Sequence, residues 1–263
     1  MSFARLRAVV LFSGFALPAL CMIAIYLPAR HFGWSLAGRV QTLFHKGLLA
    51  CLGIRVHMKG TVAADRPLLL ASNHGSWVDI LALSSLMPLA FIAKSDVAGW
   101  PIFGWLARLQ RSVFVERDRR GKTGEQAAAI ADRLLGGEVL VLFAEGTTSD
   151  GNCVLPFRSA LFGAARAALE GTSHERVTVQ PVAIAYTHLH GMPLGRIWRP
   201  LLAWIGGEDL MPHMGTILSE AAFDMTVRFG EPIIFERGGD RKRVAQAAED
   251  AVRHMLCQEL TQR

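Results

Sequence analysis

The stretch LLLASNHGSWVDI, residues 68–80, passes from a continuous apolar run into a polar turn at Asn73-His74 and then into a helix start at Ser76. A run that is apolar at every position, rather than at every second one, belongs to a strand covered on both faces. The same alternation of short apolar runs with longer helical periods recurs along the chain. Strands are predicted at 67–72, 90–94, 112–116, 138–144, 177–186 and 224–230, with helices at 76–87, 101–109, 123–135, 158–169 and 240–261. That order implies an α/β domain whose mixed or parallel sheet is largely buried between flanking helices. The glycine pairs at 136–137, 206–207 and 238–239 punctuate elements, not domains.

Upstream of residue 55 the character changes. Residues 8–29 (AVVLFSGFALPALCMIAIYLPA) carry no charge and are bracketed by Arg5, Arg7 and Arg30. At 1.5 Å per residue the run reaches roughly 33 Å, close to a bilayer's hydrocarbon thickness. It is longer than a signal-peptide core, and no small-x-small cleavage site precedes Arg30. Residues 31–54 set Trp34, Phe44 and four leucines among Arg39, His45 and Lys46, the pattern of an amphipathic interfacial helix. Positive residues on both sides of the first segment pull both ends to the cytoplasmic side. The expectation is a membrane-associating helical pair at 1–54, dipping into the bilayer at Pro18 or spanning it once, before a domain at 55–263 that faces the cytoplasm.

Composition agrees with this division. The 263 residues are 51% apolar, with mean hydropathy +0.30, which excludes disorder. A net charge of +6 favours anionic partners, among them a membrane surface, nucleic acid or a phosphorylated substrate. The four cysteines are far apart and form no Cys-x-x-Cys pair, so neither a disulfide framework nor a zinc site is indicated.

His74 stands where open α/β sheets carry their sites, beyond the carboxyl end of a strand. Asp79 follows five residues later. With His74 in the turn and Asp79 in the first helical turn, the carboxylate reaches one imidazole nitrogen, and the other nitrogen is left to take a proton. Such a pair is a general base without a protein nucleophile, so the hydroxyl it activates belongs to a substrate. About a third of one His-x4-Asp pair is expected by chance in a chain of this composition, and Ser76-x-x-Asp79 also fits a helix-capping box. Further signals lie at three later strands. Phe143-Ala144-Glu145-Gly146-Thr147-Thr148 ends one in a hydroxyl-rich turn, Arg117, Arg119, Arg120 and Lys122 follow another, and VQPVAIAY (179–186) is buried.

In that order these blocks resemble the glycerolipid acyltransferase family: Asn73–Asp79, Val113–Arg117, Phe143–Thr148 and Val179–Ile184. The resemblance implies a membrane enzyme of bacterial inner-membrane type that moves a fatty acyl chain from acyl-CoA or acyl-carrier protein to a lysolipid hydroxyl, without metal or cofactor. His74 would be the base and Asp79 its orienting partner. Asn73, Arg117, Glu145, Gly146, Thr147 and Thr148 would hold the acceptor, foremost 1-acylglycerol-3-phosphate, giving phosphatidic acid. Glu145 would use a hydroxyl or backbone partner, since it repels phosphate. This chain departs from the family's third block at Ala144, usually Pro, and at Thr148, usually Arg. Thr148 removes a charged clamp and leaves room for a different acceptor such as a lyso-ornithine lipid, unless Arg158, Arg119 or Arg120 replaces the charge. A non-catalytic membrane lipid-binding protein is the reading outside enzymology, and the intact His74 and Asp79 oppose it.

Other motifs are set aside. Gly121-Lys122-Thr123 lacks the upstream glycine of a P-loop, and no Gly-x-Ser-x-Gly elbow occurs. His188, His190 and His213 are read as loop or packing histidines, nucleic acid is not expected as a partner, and WIGGEDLMPH (204–213) matches no element.

Overall fold

The computed structural model describes residues 3–115, 123–170, 174–206, 208–220 and 222–261. Two antiparallel helices come first, α1 (Phe3–His31) and α2 (Leu36–Leu52), packed along each other. Helix α1 runs unbroken through Pro18, and its Val9–His31 stretch is long and apolar enough to cross a membrane. Leu17 and Leu20 on it are exposed, as a lipid-facing surface requires. Helix α2 ends at Gly53 in the left-handed region, and the chain then enters the sheet.

In chain order the sheet and its helices are β1 (Arg55–Lys59), β2 (Leu68–Ser72), α3 (Val78–Leu86), β3 (Ala90–Lys94), α4 (Phe103–Leu109), β4 (Val113–Val115), α5 (Thr123–Leu135), β5 (Val139–Phe143), α6 (Gly163–Ala167), β6 (Arg176–Leu189), β7 (Met192–Pro193), α7 (Leu210–Glu220), β8 (Phe223–Phe229), β9 (Ile233–Glu236) and α8 (Arg241–Thr261). Among the described residues they form one nine-stranded sheet in the order β1-β8-β6-β2-β5-β3-β4, with β7 and β9 also paired to β6. The run β6-β2-β5-β3-β4 is parallel, and β8 joins β6 antiparallel, so the sheet is mixed.

Strand β2 explains the layering. All five of its residues are buried, Leu69 and Ala71 against α5, α6 and α8 on one face, Leu68 and Leu70 against α2 and α3 on the other. Helices therefore cover both faces, as the unbroken apolar strands demand.

One expectation changes, and three elements appear that the sequence pattern does not announce. The helix predicted over 158–169 is a 3-10 turn, Ser159–Phe162, followed by the short α6. Strand β1 escapes the sequence pattern because Arg55, His57 and Lys59 alternate along a solvent-exposed edge; Arg55 and Lys59 pair with Asp224 and Glu259. Strand β9 is short and half exposed. Helix α7 contains Pro212 and Gly215, which disguise its period, yet Pro212 sits in the first turn, where proline is tolerated.

Candidate active site

The parallel strands β2 and β5 end side by side, and the turns beyond them make the site. His74 lies past β2, with Nδ1 2.8 Å from Asp79 Oδ2. The same oxygen accepts the backbone N–H groups of Gly75 (2.7 Å) and Ser76 (2.9 Å), while Oδ1 accepts the Tyr186 hydroxyl at 2.6 Å. Asp79 is fully buried at the start of α3, with four donors on one carboxylate. The capping bond to Ser76 and the imidazole contact thus coexist on Oδ2 and do not compete.

With Nδ1 held by Asp79, Nε2 is the nitrogen available to a substrate. The imidazole stacks on Phe143 at the end of β5, centroids 3.7 Å apart and planes 11° off parallel, so its orientation is set by a face as well as by a hydrogen bond. Its side chain is 15% exposed, enough for access from one side. Tyr186 sits near the carboxyl end of β6, fully buried, and burial beside Asp79 pushes its phenol well above the usual range, so it remains a donor. Gly75 is required here, because a Cβ on it would stand 2.7 Å from the Tyr186 ring.

Two residues expected to hold substrate have another task in the structure. Asn73 is buried and exchanges both amide atoms with the backbone of Ile184 in β6, donating to its oxygen (2.9 Å) and accepting from its nitrogen (2.8 Å). It extends the β2–β6 pairing by one side chain and so fixes the turn that carries His74. Glu145 is buried too, and its two oxygens accept the N–H groups of His74 (3.2 Å) and Leu155 (3.0 Å). Burial pushes this carboxyl up to about 8, against two backbone donors that favour its charged form. Both residues brace the turn that carries His74 from behind.

Gly146, Thr147 and Thr148 do border a cavity, together with His74. Arg158 does not: only its backbone N–H reaches the site, at Ala144 O, and its side chain is exposed. Arg117, Arg119, Arg120 and Lys122 lie outside the described residues. Among the described residues no group of three or more His, Cys, Asp or Glu is arranged to hold a metal ion.

The cavity measures about 680 Å³ and is predominantly apolar. Its floor is the end of the sheet, its sides are α3, α4 and α7, and its roof is α1 and α2, through residues such as Phe12, Ile23, Phe44 and Leu48. The helical pair is a wall of this cavity. Its far end is clasped to α4, where Tyr26 and Arg30 donate to the carbonyl of Leu109 at 2.6 and 3.0 Å. The opposite side is held by the indole of Trp77, which donates to His213 Nδ1 on α7 at 3.0 Å; burial holds this imidazole below its usual range, neutral and able to accept.

A base oriented by a buried carboxylate, facing a long apolar chamber, is what acyl transfer to a lipid hydroxyl needs. Comparison with known proteins decides the family, since the model of the acyltransferase family matches residues 53–185. The chain belongs to the acyltransferase family. This acyltransferase is 53% identical over 224 residues to the lyso-ornithine lipid O-acyltransferase of Brucella abortus, covering 85% of this chain and 83% of that one. It is 49% identical over 217 residues to the protein of the same name from Rhizobium meliloti, covering 82% and 74%. In fold it is similar to the crystal structure of the 1-acyl-sn-glycerophosphate acyltransferase PlsC from Thermotoga maritima, with TM-score 0.68, 20% identity and 99% of each chain covered.

Proposed function

We propose that this acyltransferase esterifies a lyso-ornithine lipid, an ornithine N-acylated by a hydroxy fatty acid whose free hydroxyl is the acceptor. The observation that carries this reading is the identity of about half to proteins of that name across four fifths of the chain. Thr148 supports it independently. A phosphate monoester brings a charge of about −1.5 to −2, and the turn beside His74 offers it hydroxyls where the resemblance leads one to expect arginine. Ornithine's head group has one carboxylate and one ammonium and needs no such clamp. The acceptor implied by the four blocks alone, 1-acylglycerol-3-phosphate, has less support for the same reason.

In this reading His74 Nε2 removes the hydroxyl proton as the oxygen attacks the carbonyl carbon of an acyl thioester, carried by coenzyme A or acyl-carrier protein. The carbon–oxygen bond forms, and a tetrahedral oxyanion results. Its collapse breaks the carbon–sulfur bond, and the imidazolium returns the proton to the departing sulfur. Asp79 stabilises the imidazolium between these steps. A thiolate leaves readily, so the chemistry calls on neither metal nor cofactor. Helix α1 lies in the cytoplasmic membrane with the catalytic domain on the cytoplasmic side, and the acyl chains occupy the apolar cavity.

An acceptor panel tests this. Purified full-length protein in mixed micelles receives labelled acyl-CoA or acyl-carrier protein with lyso-ornithine lipid, lysophosphatidic acid or lysophosphatidylethanolamine, and products are separated by chromatography. Preferred labelling of ornithine lipid is expected; preferred labelling of phosphatidic acid overturns the acceptor assignment. Protease treatment of sealed inverted vesicles should digest the catalytic domain, and protection would overturn its orientation.

A further inference from the structure

The stretch from Trp204 to His213 belongs to none of the four sequence blocks, yet the fold lays it across the active site. The backbone N–H of Trp204 donates to the carbonyl of Gly75, the residue after His74, at 2.7 Å. Its indole donates to the carbonyl of Glu208 at 2.9 Å, and the Glu208 N–H returns to Ile205 O at 3.2 Å. Gly206 lies so near the third block that a Cβ on it would stand 2.7 Å from Thr147 Oγ1 and 3.9 Å from Thr148 Oγ1. Glu208 borders the same cavity as His74, Thr147 and Thr148. Its carboxylate has no ion-pair partner among the described residues. The other two fully charged side chains on the described cavity wall, Lys94 and Asp96, pair with each other at 2.5 Å. That leaves one uncompensated negative charge on the described wall, and it is Glu208.

We propose that Glu208 selects the head group, its carboxylate receiving the ammonium of a zwitterionic amino-acid lipid while the acceptor hydroxyl lies at His74. The assignment rests on the acceptor reading above and adds to it the residue that enforces it. A negative side chain at the wall attracts an ammonium and repels a phosphate monoester, so one residue both favours the first acceptor and disfavours the second. Glu208 is exposed at the border of the cavity, so both effects have the modest size of a solvent-screened charge. The backbone of Glu208 is held by its bonds to Trp204 and Ile205, which substitution of its side chain leaves intact.

The test uses full-length enzyme in mixed micelles and three acceptors: lyso-ornithine lipid, its norvaline analogue, which lacks only the terminal amine, and lysophosphatidic acid. Wild type should show a KM for the norvaline analogue about two- to fivefold above that for lyso-ornithine lipid, the size of an exposed ion pair. Glu208→Gln should raise KM for lyso-ornithine lipid by a similar factor, with a smaller change in kcat, and erase the difference between the two acceptors. Glu208→Asp should restore part of it, and Glu208→Lys should lower KM for lysophosphatidic acid. A Glu208→Gln enzyme that still discriminates between ornithine and norvaline head groups, or loses affinity equally for both, overturns the assignment while the acceptor reading stands. A wild type that leaves lyso-ornithine lipid unacylated overturns the acceptor reading, and this assignment with it.

Discussion

Asp79→Asn separates the two tasks loaded onto one side chain. Oδ2 takes three donors, from Gly75, Ser76 and His74, and Oδ1 takes the Tyr186 hydroxyl. Asparagine has one carbonyl oxygen, and the two backbone N–H groups hold it at the Oδ2 position, because an NH2 group there would face two donors. The amide nitrogen then points to Tyr186, whose hydroxyl turns to accept. His74 keeps its tautomer and loses only the negative charge opposite the imidazolium. A hydrogen bond involving a charged group is worth about 1.5–3 kcal/mol and a neutral one about 0.5–1.5. With the lost ion-pair attraction added, about 2–3 kcal/mol of transition-state stabilisation disappears, which at about 1.4 kcal/mol per decade is roughly a hundredfold in kcat. Initial rates with labelled acyl donor at saturating acceptor measure this, alongside thermal unfolding followed by circular dichroism in the same detergent. The expected result is a kcat down about a hundredfold and a melting temperature lowered by only a few degrees. A fall near ten-thousandfold, the size associated with a wrong imidazole tautomer, would refute the pinned oxygen. An unchanged rate with reduced stability would reduce Asp79 to a helix cap.

His74→Ala should abolish transfer while leaving the circular dichroism spectrum and membrane attachment intact; residual product above background would remove it as the base. Tyr186→Phe leaves Asp79 Oδ1 buried without its donor and should lower unfolding stability by about 1–3 kcal/mol, measured by denaturant titration. For Glu145 the folded state keeps a proton up to about pH 8 that the unfolded chain releases near its ordinary 4.5. Stability from this group therefore falls as pH rises through that window and levels off above it. Glu145→Gln has no such proton to lose, so its melting temperature should gain on wild type from pH 5 to 8; a constant difference would contradict the buried acid. Deleting residues 1–35, and with them α1, should abolish activity even in mixed micelles that supply both substrates, because it removes part of the cavity roof. Full activity of the shortened protein would show that α1 is only an anchor.

Much of the frame was legible because its signals are local. The run 68–80 contains strand, turn and helix start within thirteen residues, and the unbroken apolar runs of β2, β5 and β6 report two covered faces directly. Elements whose residues serve the surface were not legible: β1 looks like solvated basic sequence because it is an edge, and α7 hides behind Pro212 and Gly215. The site divides in the same way. His74 and Asp79 share one turn, but Tyr186 donates to Asp79 from 107 positions away, a distance across which no periodicity speaks. One signal was present: the chain has only two tyrosines, and a tyrosine inside a buried strand needs a partner for its hydroxyl. Asn73 and Glu145 stand out in the sequence as polar residues at strand ends, but sequence does not distinguish a side chain aimed at ligand from one aimed at backbone. The Trp204–His213 stretch had no local pattern because its order comes from bonds to Gly75 and Trp77.

The roof of the cavity has a thermodynamic consequence. Helix α1 is one helix thick, about 10 Å, with Leu17 and Leu20 outward and Met22 and Ile23 on the cavity side. A lipid tail drawn through water would lose about 0.8 kcal/mol per methylene, on the order of 10 kcal/mol for about a dozen. With α1 in the bilayer, a tail sliding past it exchanges hydrocarbon for an apolar cavity and escapes most of that cost. The quantity that saturates such an enzyme is the mole fraction of acceptor in the membrane plane. Diluting vesicles with buffer that holds the acyl donor at constant concentration should leave its rate per lipid unchanged, whereas diluting the acceptor with inert lipid should lower it.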